Sequence, residues 1–194
     1  MSEKFQQIRS IIEQRRTTKP HLFNGKLIPN EQINELLELA NWAPTHGNTQ
    51  PWLFYVYAGE KVKEFCFQHA ELYKSNTAAE NFMQGNYDKL LHMGDQSSHI
   101  IVACMKRGNL PKIPVWEELA AASSAVQNIL LGATALGIAS YWGSGGMAQH
   151  QPMKDFLGLG EHDSVIGILY FGYSDENPAG RRVAAISSKT FWSR

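Results

Sequence analysis

The chain has 194 residues, 43% hydrophobic and 19% charged, which suits a buried core and excludes a disordered chain. Eighteen basic side chains balance eighteen acidic ones, so the formal net charge is zero. That balance argues against a general nucleic-acid binder, but it leaves room for a small anion held by a local basic cluster.

No repeat or linker divides the chain, so residues 1–194 read as one domain. Phe5, Ile8, Ile11 and Ile12 recur at helical spacing and predict a first helix that ends in Arg15-Arg16-Thr17-Thr18-Lys19-Pro20. A second helix follows with Asn30 as its N-cap and Ile33, Leu36, Leu37 and Ala40 on one face, stopping at Ala43-Pro44. Residues 52–57 are aromatic and branched and predict a strand. Helical pattern resumes over 60–73 and again over 76–91, and the wholly apolar run 100–105 predicts a buried strand. Residues 117–136 form the longest helix, apolar nearly all round, which predicts burial on every side. Strands over 138–142 and 165–173 flank a short helix at 153–157. The mixture is α+β or α/β, with about four strands and no sheet order fixed by the sequence.

Two cysteines, Cys66 and Cys104, are too few for a disulfide framework, and the seven histidines form no metal pattern. With no secretory signal and no run of membrane-spanning length, the expected setting is a reducing cytoplasm.

Three stretches carry chemistry. In Arg15-Arg16-Thr17-Thr18-Lys19, guanidinium groups and hydroxyls suit a phosphate, although cations at a helix C-terminus also stabilise the macrodipole without any ligand. Ala43-Pro44-Thr45-His46-Gly47-Asn48-Thr49-Gln50-Pro51-Trp52 packs hydroxyl, imidazole and carboxamide groups between prolines. A helix stop and turn account for Pro44, Gly47 and Asn48, but not for the alternation of Asn48, Gln50 and Trp52 into the strand. Gly143-Ser144-Gly145-Gly146-Met147-Ala148 fits G-x-G-x-x-A after a strand, yet Pro152 interrupts the helix that a dinucleotide fingerprint needs. A nucleophile elbow fails because Trp142 stands where its first glycine belongs. A tight turn approaching a flat ligand, or a plain loop, remains.

In this order the three stretches resemble the nitroreductase family of FMN-dependent oxidoreductases. The family has Arg-Arg-Ser where this chain has Arg15-Arg16-Thr17, and A-P-S-x-x-N-x-Q-P-W where it has residues 43–52. The similarity covers most of the chain, and the ten-residue match is its specific part. It implies an α+β, nitroreductase-like fold with a central antiparallel or mixed sheet of four to five strands, flanked by helices. It also implies a homodimer with FMN at the interface. Arg15, Arg16 and Thr17 would hold the phosphate and ribityl chain. Pro44, Thr45, His46 and Asn48 would face the ring from the other subunit, with Trp142, Gly143 and Ser144 near the reactive nitrogen. Gly132, Ala133, Thr134, Ala135, Leu136 and Gly137 fall where compact members place a nicotinamide-nucleotide contact, and Trp116 is a candidate wall of the acceptor pocket. The implied activity is hydride transfer from NAD(P)H through the flavin to a planar electrophile such as a nitroaromatic or quinone. A flavin-binding protein with little turnover, or another flavin reaction on the same fold, is the alternative. Thr17 and Thr45 depart from the family's serines but keep the hydroxyl.

Overall fold

The computed structural model describes residues 1–176 and 178–193; Asn177 and Arg194 lie outside them. Among the described residues six α-helices surround one sheet. Helix α1 spans Glu3–Gln14 and begins where the Ser2 hydroxyl accepts a hydrogen bond from the Phe5 N–H at 3.3 Å. Helix α2 (Asn30–Ala40) follows, then β1 (Trp52–Ala58), α3 (Glu60–Ser75), α4 (Gln84–His92) and β2 (His99–Met105). The long helix α5 (Val115–Ala135) leads to β3 (Ala139–Gly143), α6 (Gln151–Phe156) and β4 (Ser164–Gly172).

The four strands form an antiparallel sheet in the order β1-β2-β4-β3, so β3 is an edge. Strands β2 and β4 sit in the middle, covered on both faces, which is why their sequences are almost wholly apolar. Alternation divides the core. Ile101, Ala103, Met105, Leu169 and Phe171 face α2 and α5, while Ile100, Val102, Cys104, Ile168 and Tyr170 face α3 and α6. A register shift opposite Ala103/Cys104 places a bulge in β4 at Ile166–Gly167.

Three sequence-based expectations need correction. Asn30 is the first residue of α2 and not its N-cap. Pro29 holds the cap position, and the Asn30 Oδ1 is bonded to His99 Nε2 at 2.9 Å. The helix expected from residue 76 begins only at Gln84, because Asn76 ends α3, its Nδ2 donating to the Leu72 carbonyl at 2.9 Å. Helix α5 is not buried on all sides in the protomer. Ala122, Ala125, Val126, Ile129 and Ala133 are in the core, but Trp116, Leu119, Ala120 and Gln127 are exposed along its opposite flank.

Candidate functional site

The segment after α1 is extended and lies along the edge strand, with the Thr18 N–H donating to the Ser140 carbonyl at 2.9 Å. Side chains on extended backbone alternate, and this separates the two arginines. Arg15 and Thr17 turn towards Ser140, Trp142, Gln127 and Leu130, around a depression of 330 Å³. Arg16 turns the other way and donates to the carbonyls of Glu13 at 2.6 Å, Arg15 at 2.9 Å and Pro178 at 3.1 Å. The half-buried Arg15 guanidinium has no hydrogen bond or ion pair among the described residues, so its donors point at the depression unspent.

The opposite face of β3 borders a second cavity. Tyr141 and Gly143 line it with His69, Tyr73, Asn86 and Lys89, in a space of 220 Å³ floored by Ile168 and Tyr170. A third depression of 310 Å³ shares Lys89 and Tyr141 and adds Lys19, His21 and His92. Arg15, Lys19 and Lys89 therefore follow the rim of the sheet, and neither lysine has an ion pair among the described residues. Trp142 lies flat against β4. Its Nε1 donates to the Ile166 carbonyl at 3.4 Å, and the indole fills the space where a Cβ on Gly167 would go. Ser144 is exposed just beyond.

The proline-bracketed loop folds on itself at the start of α5. Gly47, Asn48 and Gln50 all have positive φ, at 60°, 52° and 42°. The Thr45 hydroxyl supports the turn by accepting from the Gln50 N–H at 3.1 Å, and His46 Nδ1 is bonded to Glu117 Oε2 at 2.6 Å. Two non-glycine residues in the left-handed region are unusual and cost backbone strain. Pro44, Thr45, His46 and Asn48 line neither the Arg15 depression nor the Gly143 cavity, so one protomer does not bring the loop and the double arginine together.

A family model described as the Nitroreductase family matches residues 12–173. The chain belongs to the nitroreductase family. It is 28% identical over 142 residues to "Putative NAD(P)H nitroreductase YdjA" of Escherichia coli (strain K12), covering 73% of this chain and 75% of that one. The solved structure of a nitroreductase-like family protein from Bacillus cereus superposes with a TM-score of 0.82 at 27% identity, covering 96% of this chain and 95% of that one. A nitroreductase with bound FMN from Bacteroides fragilis shares the fold at a TM-score of 0.69 and 20% identity, with full coverage of both chains.

Within this nitroreductase-family chain the last turns of α5 divide sharply. Gly132 and Ala133 are buried, and a Cβ on Gly132 would meet Leu39 and Leu36 of α2 at 2.6 and 2.8 Å. That glycine serves helix packing. Thr134 bonds back to the Leu130 carbonyl at 2.9 Å, and only Ala135, Leu136 and Gly137 are exposed. Trp116, 68% exposed, stands free at the start of the same helix. The site residues that the sequence did not reveal are Asn86 and Lys89. They sit three apart on one face of α4, a spacing that any solvated helix shows, and only the fold carries them to the β3 rim.

Proposed function

We propose that this chain is an FMN-dependent NAD(P)H oxidoreductase, acting as a single 1–194 domain in a homodimer. The observation that carries the reading is the unpartnered Arg15 guanidinium, set beside the Thr17 hydroxyl and the Trp142 indole on the edge of the sheet. A half-buried cation with open donors suits a phosphate dianion, and the hydroxyl extends the same cradle. On the other side of β3, Lys89, Asn86 and Lys19 offer the ammonium and carboxamide donors that the polar edge of a flavin takes. The bound cofactor would supply two-electron chemistry between a nicotinamide donor and a planar electrophile such as a nitroaromatic or a quinone. The chain's own work is to clamp the phosphate, hold the ring against β3 and keep lysine charge near the ring edge.

Arg16 is placed for a structural role in this reading, since three of its N–H donors, on Nε and Nη1, are held by carbonyls. Pro44, Thr45, His46 and Asn48 would reach the ring of the partner's site, because within one protomer they stand away from Arg15. The bare flank of α5 and the exposed Phe5, Ile8 and Ile12 of α1 give such a partner an apolar surface. Cys66 and Cys104 are free and buried, in keeping with a cytoplasmic, reducing setting.

The test is the visible spectrum of the purified protein, taken anaerobically before and after NADPH and then NADH. Flavin bands that bleach are expected. Bands that persist with both donors would overturn the oxidoreductase reading in favour of a flavin-binding protein. A colourless protein that takes up no added FMN would overturn the cofactor. Arg15→Ala is expected to weaken FMN retention at least tenfold, and unchanged retention would remove Arg15 from the clamp.

A further inference from the structure

We infer that His69 is a positioning residue for the glycine loop 143–146, holding from beneath the backbone that faces the ring in the reading proposed above. His69 belongs to the C-terminal half of α3 and is 1% exposed. Its Nε2 accepts a hydrogen bond from the Met147 N–H at 3.2 Å. Among the described residues no side chain of another element except His69 bonds to residues 144–147, whose remaining bonds are short-range turns. The loop is therefore held by that imidazole between the end of β3 and the buried Ala148.

The close fit supports the same role. Gly146 has φ +62°, and a Cβ built there would stand 2.7 Å from His69 Nε2 and 2.8 Å from the Leu90 Cδ1. The loop thus rests directly on the ring, with no side chain between them. Gly145, by contrast, has nothing within 4 Å of a built Cβ and lines the open cavity. One glycine seats the loop and the next keeps the cavity side clear.

The imidazole is an expensive choice for this place. With Nε2 accepting, the proton of the neutral ring sits on Nδ1, which has no partner among the described residues. A buried donor left without a partner is destabilising, and an apolar side chain would serve the packing of α3 better. What the histidine supplies and an apolar residue does not is an acceptor for Met147. Burial pushes its pKa down to about 4, against the opposing influence of the Gly145 carbonyl, so the ring stays an uncharged acceptor at neutral pH.

The test compares wild type, His69→Leu and His69→Gln in two measurements: amide hydrogen exchange of residues 144–148 in the flavin-free protein, and titration with FMN. In His69→Leu, exchange over 144–148 should quicken at least tenfold, the FMN dissociation constant should rise at least tenfold, and the bound flavin's absorption bands should shift. His69→Gln, which keeps an acceptor, should recover most of each change. Unchanged exchange, or faster exchange with unchanged FMN affinity and spectrum, would overturn the inference. If His69→Leu does not fold, Gly146→Ala tests the same contact from the loop side, and wild-type FMN affinity there would overturn it equally. A wild type that binds no FMN defeats the cofactor reading alone, and the exchange measurement then decides whether His69 holds the loop.

Discussion

His46 and Glu117 are joined at 2.6 Å between Nδ1 and Oε2, tying the proline-bracketed loop to the first turn of α5. Both acids of that turn act as clasps. Glu117 takes the loop before β1, and Glu118 takes the loop after β2 through Arg107 and the Gly108 N–H. Acids are favoured at a helix N-terminus by the macrodipole, so the positions suit the helix as well as the loops. The His46 and Glu117 side chains are 60% and 27% exposed, and a pair that accessible contributes at most about 1 kcal/mol. Glu117→Ala should therefore lower the melting temperature of the flavin-free protein by only about 2–4 °C. In the dimer proposed here it should raise the FMN dissociation constant several-fold. A large melting shift with unchanged FMN affinity would assign Glu117 to the fold instead.

The neighbouring clasp is of the opposite kind. Glu118 is 1% exposed, its Oε2 bonded to Arg107 Nη1, its Oε1 accepting from Gly108 N–H at 3.1 Å. Arg107 also donates to the Ile113 carbonyl at 2.6 Å. Removing one partner leaves a buried charge without compensation, a loss of about 3–5 kcal/mol. Glu118→Ala should show that loss in urea unfolding, and Arg107→Met combined with Glu118→Leu should recover much of it. Equal stability of Glu118→Ala and wild type would mean that water reaches the pair.

Periodicity carried most of the architecture, for reasons visible in particular residues. The apolar run 100–105 reads as a strand covered on both faces, and β2 is that strand. Local capping chemistry was less reliable, because Asn30 looks like a cap in sequence but is drawn to His99 across the fold. The bare flank of α5 was hidden for a different reason. Alanine, serine and leucine give the same pattern whether the covering surface lies within the protomer or outside it. For the candidate site, the motifs named the segments but not which way each side chain turns. The register of residues 15–19 on β3 sends Arg16 away from Arg15, and a sequence does not print that register. Asn86 and Lys89 had no signal at all, since their meeting with Tyr141 and Gly143 depends on the packing of α4.

His69 also gives the protein a defined acid response. Its pKa falls from 6.5 in the unfolded chain to about 4 in the fold, because burial disfavours the charged ring. The unfolded state then binds more protons between those values, so stability is full above pH 6.5 and falls as pH drops towards 4. The difference corresponds to about 3 kcal/mol over that window. Stability curves in urea at pH 7.5, 6, 5 and 4 should show wild type losing this increment relative to His69→Leu. Parallel curves for the two proteins would mean that His69 titrates normally.

The two thiols should be silent in the native protein. Cys66 in α3 and Cys104 in β2 are fully buried, and burial pushes both pKa values up to about 12. Thiolate is the reactive species, so at pH 8 each thiol is about 10⁻⁴ ionised and shielded as well. Ellman's reagent should label neither residue in buffer and both in denaturant. In sub-denaturing urea the order should be Cys66 before Cys104, because their surroundings open at different cost. Cys66 lies on the inner face of the outer helix α3, with Gly94 against its sulfur. Cys104 lies in a central strand bonded to β1 on one side and β4 on the other, so exposing it requires the sheet to part. Labelling of Cys104 first would mean that the sheet opens before the helices leave it.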